Sequence, residues 1–577
     1  MANIDLSKTY DSVEFDGFDG INGSLAYSKK GSIKNMSDFR LRFDGAIEAR
    51  CGFELFASLP GEVRAIHQLT ENTMLVLVDH KLYSVDLPTR AINSIATVFT
   101  AFEHAFFFSF GGNIYLLDGS EIYKYYGGAL TKVEGYVPLY GKGWDPSKGG
   151  DVFEPLNMLS SRARISYVTS TSSDTYFELP FSAKSIDAVF INKKASSLDD
   201  YTLVETGEGF TSKRACDAGD EVTVFITLKS TANIRSPIAK CEKAAAYGDG
   251  SEGAYNISAA FYNGNDKSAI YPSRPISESD FEYCEKVYSN LSKIYVAQKN
   301  VAFANDGQSP ITDVCQKDDG LMVFTADRAF MLRTFSNGQS SLARVSMSAG
   351  CSSPSGAVAS GDTPVTVSRY GIFKWDPISY EEGEYRATCI SRPINELLSA
   401  SFFQSAIAHH HRKRGELWFC DPNDPDGTVF IYSIDAKAWF SFKGIGADNF
   451  FEYNGELGFF QENRMYIFSQ SKTTDTSTTG EREITARLES GLISFEKWNQ
   501  KKKLSRCLIR TSPGATVLFQ VTDADGKSES YSLSDGSGEK VGYINKRLSL
   551  RRSRYYSFSI EAKDNATIYG VVLMATD

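Results

Sequence analysis

The densest group of side chains capable of chemistry is the run His-His-His-Arg-Lys-Arg at residues 409–414. Imidazole is a common metal ligand, so three adjacent histidines suggest a metal site. Neighbouring residues on a strand point to opposite faces, however, and no cysteine or carboxylate stands at ligand spacing. We interpret the run as a solvated loop before the strand at Leu417. As a basic patch it could contact DNA or an acidic neighbouring subunit.

The stretch between Asp421 and Gly427 has the carboxylates of a calcium loop. Pro425 interrupts the required spacing, and no glutamate stands at the twelfth position of such a loop. Aspartate, asparagine, proline and glycine are also the ordinary residues of turns. The stretch therefore predicts a hairpin turn.

Sequence motifs of propeller hydrolases and other enzymes are missing. The chain has no G-x-S-x-G, H-E-x-x-H or P-loop, and no sialidase Asp-box, WD or kelch signature. Carboxylate pairs such as Asp199-Asp200 and Glu381-Glu382 lie in polar stretches with nothing to raise one pKa. His67, His80 and His104 are typical of structural positions at strand edges. We predict a non-enzymatic protein with no catalytic, cofactor-binding or metal-binding residues and no cofactor.

Cysteine usage and hydropathy indicate the cellular compartment in which the protein is expected to mature. The nine cysteines include no CxxC pair, which predicts neither a disulfide framework nor a zinc site and fits a reducing cytoplasm. The segment Met1–Leu6 lacks the pattern of a signal peptide. No apolar run approaches the ~18 residues of a membrane span, so we expect no membrane insertion.

The net charge bears on the function of the protein, and the content of aromatic residues bears on its fold class. The net charge is −10 and aromatic residues make up 13% of the chain. A protein that wraps nucleic acid usually carries a basic field, whereas an acidic surface fits either an ordinary soluble protein or a conduit through which DNA slides. Aromatic residues pack well on pleated surfaces, so the composition favours strands.

A hairpin recurs along the chain, with an apolar strand, a polar turn and a strand that carries an apolar–aromatic pair. A spacing of about 35–55 residues is typical of propeller blades, whose faces are buried only against neighbouring blades. We predict an all-β fold with a propeller of about six to eight blades; the alternative is an irregular series of sandwich hairpins. The seven copies lie at residues 74–85, 106–117, 260–271, 321–332, 365–375, 417–432 and 457–468.

Two regions interrupt or follow the repeat and each predicts a β-sandwich. Between residues 160 and 240 the blade pattern is missing and strands alternate with period two. Beyond a polar, linker-like stretch at 469–480, strands and turns alternate about every ten residues. Short helices are expected at 277–286 and 395–403. The predicted domains are a strap at 1–55, the first part of the propeller at 56–158, an inserted sandwich at 159–240, the second part of the propeller at 241–470 and a C-terminal sandwich at 471–577.

Two further basic stretches, Lys501–Lys503 and Arg551–Arg554, border strands of the C-terminal sandwich. Charges at a sheet edge prevent aberrant pairing, which is one reason for their presence. Packing against an acidic neighbouring subunit is the other.

The opening of the chain resembles the strap of the tail nozzle and tail-stabilisation propellers of short-tailed bacteriophages. The segment runs from Asn35 through Phe43-Asp44-Gly45 to Arg50-Cys51-Gly52, similar to the N-x-x-x-D-x-x-G-x-L-x-x-R-x-G pattern of that family. Arg50 and Gly52 match, and Ile47 stands where leucine is usual. The regions around Asn263-Gly264-Asn265 and from Ile484 to the C-terminal strands are similar to the central and closing parts of those proteins.

The resemblance implies a structural virion protein, assembled in the host cytoplasm into a ring of six copies. Such a ring lines part of the DNA exit channel, and its partners are the head–tail adaptor, tail fibre proteins and the genomic DNA that passes through. The alternative function is a carbohydrate- or host-receptor-binding propeller, which exposed coplanar tryptophans would favour. A propeller hydrolase would need convergent carboxylates in its central channel.

Overall fold

The fold was analysed in a computed structural model. Strands dominate, and the helical elements among the described residues are short: α1 (Ser236–Ala239), α2 (Phe402–Ser405) and 3₁₀ turns at Leu198–Asp200, Arg392–Leu397 and Arg412–Arg414. The helix expected at 277–286 lies outside the described residues. The structure describes residues 11–15, 17–24, 33–97, 105–110, 112–133, 137–154, 156, 160–171, 174–229, 236–248, 257–273, 301–302, 309–317, 320–335, 340–346, 348–378, 385–477, 480–495, 499–535 and 542–576.

The described residues form seven blades, each a unit of four antiparallel strands. Each of the seven hairpins found in the sequence lies in a different blade, which confirms the propeller. The blades are β6–β9 (Val63–Thr70, Thr73–Val78, Lys81–Asp86, Ala91–Thr97), β10–β13 (Phe106–Phe110, Asn113–Leu117, Ile122–Tyr126, Ala129–Lys132), β22–β25 (Lys243–Tyr247, Ser258–Tyr262, Ala269–Pro272, Val301–Ala302), β26–β29 (Asp313–Lys317, Gly320–Phe324, Ala329–Thr334, Ser340–Ser346), β30–β33 (Ala357–Ser360, Thr363–Ser368, Gly371–Pro377, Tyr385–Cys389), β34–β37 (Ile407–His411, Glu416–Cys420, Val429–Ser433, Ala438–Phe442), and β38–β40 (Asn449–Tyr453, Glu456–Gln461, Arg464–Phe468) with β5 (Phe53–Ser58).

The ring closes through a strand from the other end of the chain. β5 is antiparallel to β40, so the seventh blade is completed by residues that precede the first blade. The first strands of successive blades pack against one another around the centre. The side-chain amide of Gln68 on β6 donates to the carbonyl of Glu452 on β38 (2.7 Å), which joins the first blade to the seventh.

Local sequence explains the blade hairpins. In the seventh blade, Asn454 and Gly455 connect β38 to β39 and have φ values of 52° and 72°. A two-residue turn with both φ values positive suits Asn-Gly and matches the twist of the flanking strands. In the first blade, β7 buries five consecutive residues from Met74 to Val78, because one of its faces packs against the seventh blade and the other against the second blade.

An inserted module lies between the second and third blades. Its two sheets enclose a core of their own, formed by side chains such as Trp144, Tyr167, Phe177 and Phe210. The larger sheet has the order β14-β15-β21-β17-β18 and the smaller one β16-β20-β19. Their strands are β14 (Leu139–Trp144), β15 (Arg162–Val168), β16 (Tyr176–Glu178), β17 (Ala183–Ile191), β18 (Lys194–Ser196), β19 (Tyr201–Leu203), β20 (Gly209–Ser212) and β21 (Glu221–Leu228).

The C-terminal module is a sandwich built together with the N-terminal strap. One sheet has the order β3-β4-β50-β44-β47, with β1 beside β50 and β48 beside β44; the other continues the sixth blade as β37-β2-β43-β49-β45-β46. The strap strands are β1 (Asp11–Phe15), β2 (Asn35–Ser37), β3 (Phe39–Leu41) and β4 (Ile47–Ala49); those of the module are β43 (Ala486–Glu489), β44 (Lys502–Thr511), β45 (Thr516–Asp523), β46 (Ser528–Ser534), β47 (Gly542–Arg547), β48 (Arg552–Ser553), β49 (Tyr556–Ala562) and β50 (Thr567–Thr576).

The core of the C-terminal module is continuous with that of the propeller. One cluster of buried apolar side chains includes Phe39 of the strap, Trp418 of the sixth blade, Phe459 of the seventh blade and Phe519 and Leu573 of the module. With the inserted sandwich, this confirms an all-β propeller that carries one inserted and one C-terminal β-sandwich.

The stretch at 469–480 differs from the linker expected from its composition. Its residues contribute to the hairpin β41 (Thr474–Ser477) and β42 (Gly480–Glu483), and Asp475 is buried. Polar residues hold this hairpin in place through ion pairs, which a search for apolar patterns does not detect.

Candidate functional site: the strap junction

The strap meets the last two blades at a buried arginine. Arg50, directly after β4, is 3% exposed. Its Nε donates to Asp38 Oδ1 (2.6 Å), and its two terminal nitrogens donate to the two carboxylate oxygens of Asp475 (2.7 and 2.6 Å). The same nitrogens donate to the carbonyls of Cys51 and Lys443 (3.1 and 3.0 Å). All five N–H groups of the guanidinium therefore have an acceptor.

The carboxylates stabilise this buried cation. Burial by itself disfavours the charged guanidinium, but hydrogen bonds and the negative charges of Asp475 and Asp38 outweigh burial and raise the pKa of Arg50. Asp475 also accepts from Arg482 (2.7 Å), so the β41–β42 hairpin is part of the same network. A buried pair of this kind is costly to break, because removing one partner leaves the other charged and unpaired.

Position 52 requires glycine because the β41–β42 hairpin lies too close for a side chain. A Cβ atom at this position would lie 1.8 Å from the carbonyl oxygen of Thr474, a distance that no side chain can adopt. Phe53 and Phe442 flank the guanidinium of Arg50, with ring centroids 5.9 and 5.5 Å from its central carbon. The Arg-x-Gly pattern found in the sequence therefore has two physical causes, a buried ion pair and a backbone contact.

A second ion pair ties the strap to the sixth blade. Arg40 on β3 contacts Glu416 on β35 at 2.6 Å, and the indole of Trp418 donates to the other oxygen of Glu416 (3.1 Å). Burial opposes the charge on Glu416, but Arg40 and the hydrogen bonds hold its pKa below the usual value. His411 lies near the same carboxylate, with its Nδ1 atom 3.9 Å away.

A polar cavity of about 570 Å³ lies beside the junction, between the last two blades and the β41–β42 hairpin. Asp424, Asp448, Arg464, Asp475 and Arg482 are among its lining residues. Burial, together with the nearby negative charges of Glu462 and Glu62, raises the pKa of Asp448.

The three histidines lie on a strand, so the interpretation as a solvated loop was wrong. They belong to β34, the first strand of the sixth blade, and pair with the strand that begins at Glu416. His409 stacks on Phe450 and His411 contacts the carbonyl of Gly455, both toward the seventh blade. His410 faces the fifth blade, where burial lowers its pKa. The imidazoles alternate between faces, as strand geometry requires.

The carboxylates at 421–427 form the turn that the sequence predicts. This segment joins β35 to β36, Asp421 Oδ1 accepts from the amide of Asn423, and Asp424 Oδ2 accepts from the amide of Thr428. Within the described ranges, no group of three or more histidine, cysteine or acidic side chains is arranged to hold a metal ion.

The two basic stretches of the C-terminal module come together on neighbouring strands. Lys502 and Lys503 on β44 are opposite Ser553 and Arg552 on β48. Lys502 is buried and contacts Asp11 on β1, whereas Lys501, Lys503 and Arg552 are exposed. Both stretches are visible in the sequence, but nothing in the sequence indicates that they share one surface.

Asp38 and Asp475, the partners of Arg50, were not recognised from the sequence. Asp38 has a positive φ of 58°, a conformation that aspartate tolerates better than most residues. Both lie in short polar segments that look like loops, and the charge pairing with Arg50 links residues 425 positions apart. Only a pattern of paired substitutions in relatives would provide such a signal.

Comparisons with known proteins give likeness of fold alone. No family model and no curated protein matches the chain. The WD40 domain of SCAP from fission yeast aligns over 73% of this chain and 98% of its own, with 7% identity and a TM-score of 0.32. An exo-β-1,3-galactanase from Phanerochaete chrysosporium aligns over 75% of this chain and 99% of its own, with 9% identity and a TM-score of 0.19.

The extracellular domain of a hybrid two-component system from B. thetaiotaomicron covers 90% of this chain and 71% of its own, with 9% identity and a TM-score of 0.26. Likeness at these values carries no argument about function. Among the described residues, no helix is both long and apolar enough to cross a membrane.

Proposed function

We propose that this chain is a structural, non-catalytic subunit of a bacteriophage tail nozzle or hub ring. Six copies would surround the DNA exit channel, contact the head–tail adaptor and anchor tail fibre proteins, after assembly in the host cytoplasm. The observation that carries the proposal is the strap junction. The arginine and glycine of the strap pattern hold the strap against both the propeller and the C-terminal module.

The construction of the junction suits a mechanical role. Strap strands lie in both sheets of the C-terminal module, and one of them, β2, connects the sixth blade to β43. A load applied to the C-terminal module would therefore reach the propeller through strand pairing, a shared core and two ion pairs. These contacts would make the propeller and the C-terminal module respond as one rigid unit.

Sugar recognition is the alternative, and the positions of the four tryptophans that the structure describes do not favour it. The apolar C–H faces of sugar rings stack on exposed aromatic surfaces, for which tryptophan is well suited. Trp375, Trp418 and Trp439 are at most 1% exposed, and Trp144 is 5% exposed. Their rings stabilise the blades and the inserted module.

Quantitative mass spectrometry of purified virus particles from the source culture tests the proposal. With the major capsid protein as internal standard, the expected result is about six or twelve copies per particle, which correspond to one or two closed rings of six. A control sample from which particles have been removed should contain little of the chain. Absence from the particles would overturn the proposal and make sugar binding the function to test next.

A further inference from the structure

The outward face of the C-terminal module carries a row of cations, here called the cationic stripe. It follows β44 and the two short strands β47 and β48 that pair with the same edge of β44. The stripe consists of Lys501, Lys503, Arg506, Arg547, Arg551, Arg552 and Arg554.

Strand register places like charges directly opposite each other in the stripe. Lys503 is opposite Arg552, and Arg506 is opposite Arg547. Residues opposite each other in an antiparallel pair share a face, with Cβ atoms about 5 Å apart, and like charges in that position are destabilising. Lys501 and Arg554 lie just beyond the paired residues Lys502 and Ser553, at the same end of the two strands. The isolated chain therefore holds this group of cations at a cost in free energy.

The cations of the stripe are not neutralised by ion pairs within the described residues. None of its seven cations forms an ion pair there, whereas the buried Lys502 between two of them contacts Asp11. Without these seven charges, the formal net charge of −10 becomes −17 for the rest of the chain. Each copy thus combines one concentrated positive surface with a strongly negative remainder.

Protection of a sheet edge does not explain the whole stripe. β47 and β48 lie at the edge of their sheet, where charges discourage aberrant pairing. Lys503 and Arg506, however, belong to β44, which is paired on both sides, with β50 on one side and with β47 and β48 on the other. Cations on an interior strand have no edge to protect.

The residues beside the stripe are typical of a protein–protein interface. Met574 on β50 is opposite Arg506 and is partly exposed, and Tyr543 on β47 is 57% exposed. Arginine, tyrosine and methionine are enriched where proteins meet, and arginine and tyrosine often supply much of the binding energy.

We propose that the cationic stripe is a contact surface between copies of this chain and that it binds a carboxylate-bearing surface of the next copy. Two stripes would repel each other, so the stripe of one copy does not face the stripe of another. The contact we propose is heterologous, with the stripe of each copy on the acidic surface of the next, and a heterologous contact closes into a ring when its rotation permits. The inference rests on the proposed function in that both require copies of the chain to associate.

The test is sedimentation velocity of the purified full-length chain and two variants over a range of protein and salt concentrations. The first variant reverses three charges of the stripe: Lys503→Glu, Arg547→Glu and Arg552→Glu. The control reverses three exposed cations of the inserted module, Lys184→Glu, Lys194→Glu and Lys213→Glu, and so changes the net charge equally. Thermal unfolding confirms that both variants are folded.

We expect the unmodified chain and the control to associate at low salt and to dissociate as salt screens the contact. The stripe variant should associate at least about tenfold more weakly. Carbodiimide cross-linking of mixed ¹⁵N-labelled and unlabelled chains should join Lys501 or Lys503 of one copy to an Asp or Glu of another. This cross-link identifies the acidic surface directly.

Equal association of the unmodified chain and the stripe variant would overturn this inference and leave the ring proposal standing. A chain that stays monomeric under all conditions would also overturn it, and the particle measurement would still decide the virion role. Loss of binding to a DNA oligonucleotide by the stripe variant, without any change in association, would identify nucleic acid as the occupant and would refute the proposed contact.

Discussion

The inserted module and the C-terminal module are both β-sandwiches attached to the same ring, but they are attached in opposite ways. The inserted module has a closed core, and among the described residues its clusters of buried side chains do not extend into the blades. The C-terminal module has no such boundary, because its core continues through the strap into the fifth, sixth and seventh blades. Similar folds can therefore be either an independent appendage or part of the ring itself.

The difference shows that the continuity of the buried apolar core determines independence, while position in the sequence does not. The inserted module interrupts the chain in the middle of the propeller, yet it shares little with its surroundings. The C-terminal module follows the last blade, but strands from the two ends of the chain pair within it, with Phe15 opposite Val571. We expect the first module to unfold separately and the second to unfold with the ring.

Deleting each module should give the largest contrast. Replacement of residues 137–229 by a short Gly/Ser linker should leave the ring folded, since no shared core is lost. Truncation after residue 483 should abolish cooperative folding, because it exposes the core shared with three blades. Circular dichroism melting curves and limited proteolysis measure both outcomes. A truncated chain that melts like the full-length protein would show that the shared core contributes little energy.

Breaking one ion pair in each region should give the next largest difference. Arg50→Met removes the buried cation that pairs with Asp38 and leaves Asp475 with only the half-exposed Arg482, and we expect a loss of about 3–5 kcal/mol in the free energy of unfolding of the ring. The matched change Arg162→Met breaks the more exposed pair with Asp187 (2.8 Å) in the inserted module and should cost less than about 1 kcal/mol. Urea unfolding measures both; similar values for the two variants would contradict this ranking.

A substitution that creates a cavity in the core of the inserted module should separate the unfolding transition of that module from the unfolding transition of the ring. Phe177 is fully buried and stacks on Phe210, with ring centroids 4.8 Å apart. Phe177→Ala should destabilise the inserted module by about 3–5 kcal/mol and leave the unfolding of the ring unchanged. The equivalent change in the C-terminal module, Phe519→Ala, should instead shift the ring transition. Calorimetry distinguishes these outcomes, and a single common shift in both variants would argue against independent modules.

A pH titration should reveal a smaller effect confined to the ring. Asp313, on the first strand of the fourth blade, accepts from the amide of Ala357 and lies 3.8 Å from Lys243. Burial raises its pKa to about 6, with Lys243 opposing the shift. Since the folded-state pKa exceeds the unfolded value, the ring should lose stability as pH rises from about 4 to about 6.

The variant Asp313→Asn is neutral at every pH and should lack this dependence. The difference in the free energy of unfolding between variant and unmodified chain should change across the window by no more than about 3 kcal/mol. Chemical denaturation at several pH values provides the measurement. A parallel pH profile for the two proteins would mean that folding does not change the pKa of Asp313.

Much of the fold could be predicted from the sequence because blade hairpins have local signals. A turn such as Asn454-Gly455 and a buried run such as residues 74–78 are visible without knowledge of distant residues. The strap junction is different. Arg50 stands out only by resemblance, and its partner Asp475 lies in a polar segment that looks like a linker.

The position of the histidines also escaped prediction, for a related reason. Residues 409–411 are polar, yet each finds a partner on a neighbouring blade, such as Phe450 for His409. The innermost strand of a blade can be polar because ring closure, and not the strand's own apolar pattern, buries it. Such burial depends on the assembled ring and leaves no local pattern.

The pairing of β5 with β40 affects how the chain is made. β5 leaves the ribosome before its partner Arg464–Phe468, which follows about 400 residues later. At roughly 5–20 residues per second, the unpaired strand waits for about 20–80 s. Throughout that time its hydrogen-bonding edge is open to other nascent chains, so we expect a strong dependence on chaperones during expression. Translation products that end before β40 would lack a closed ring and would leave β5 exposed to proteolysis.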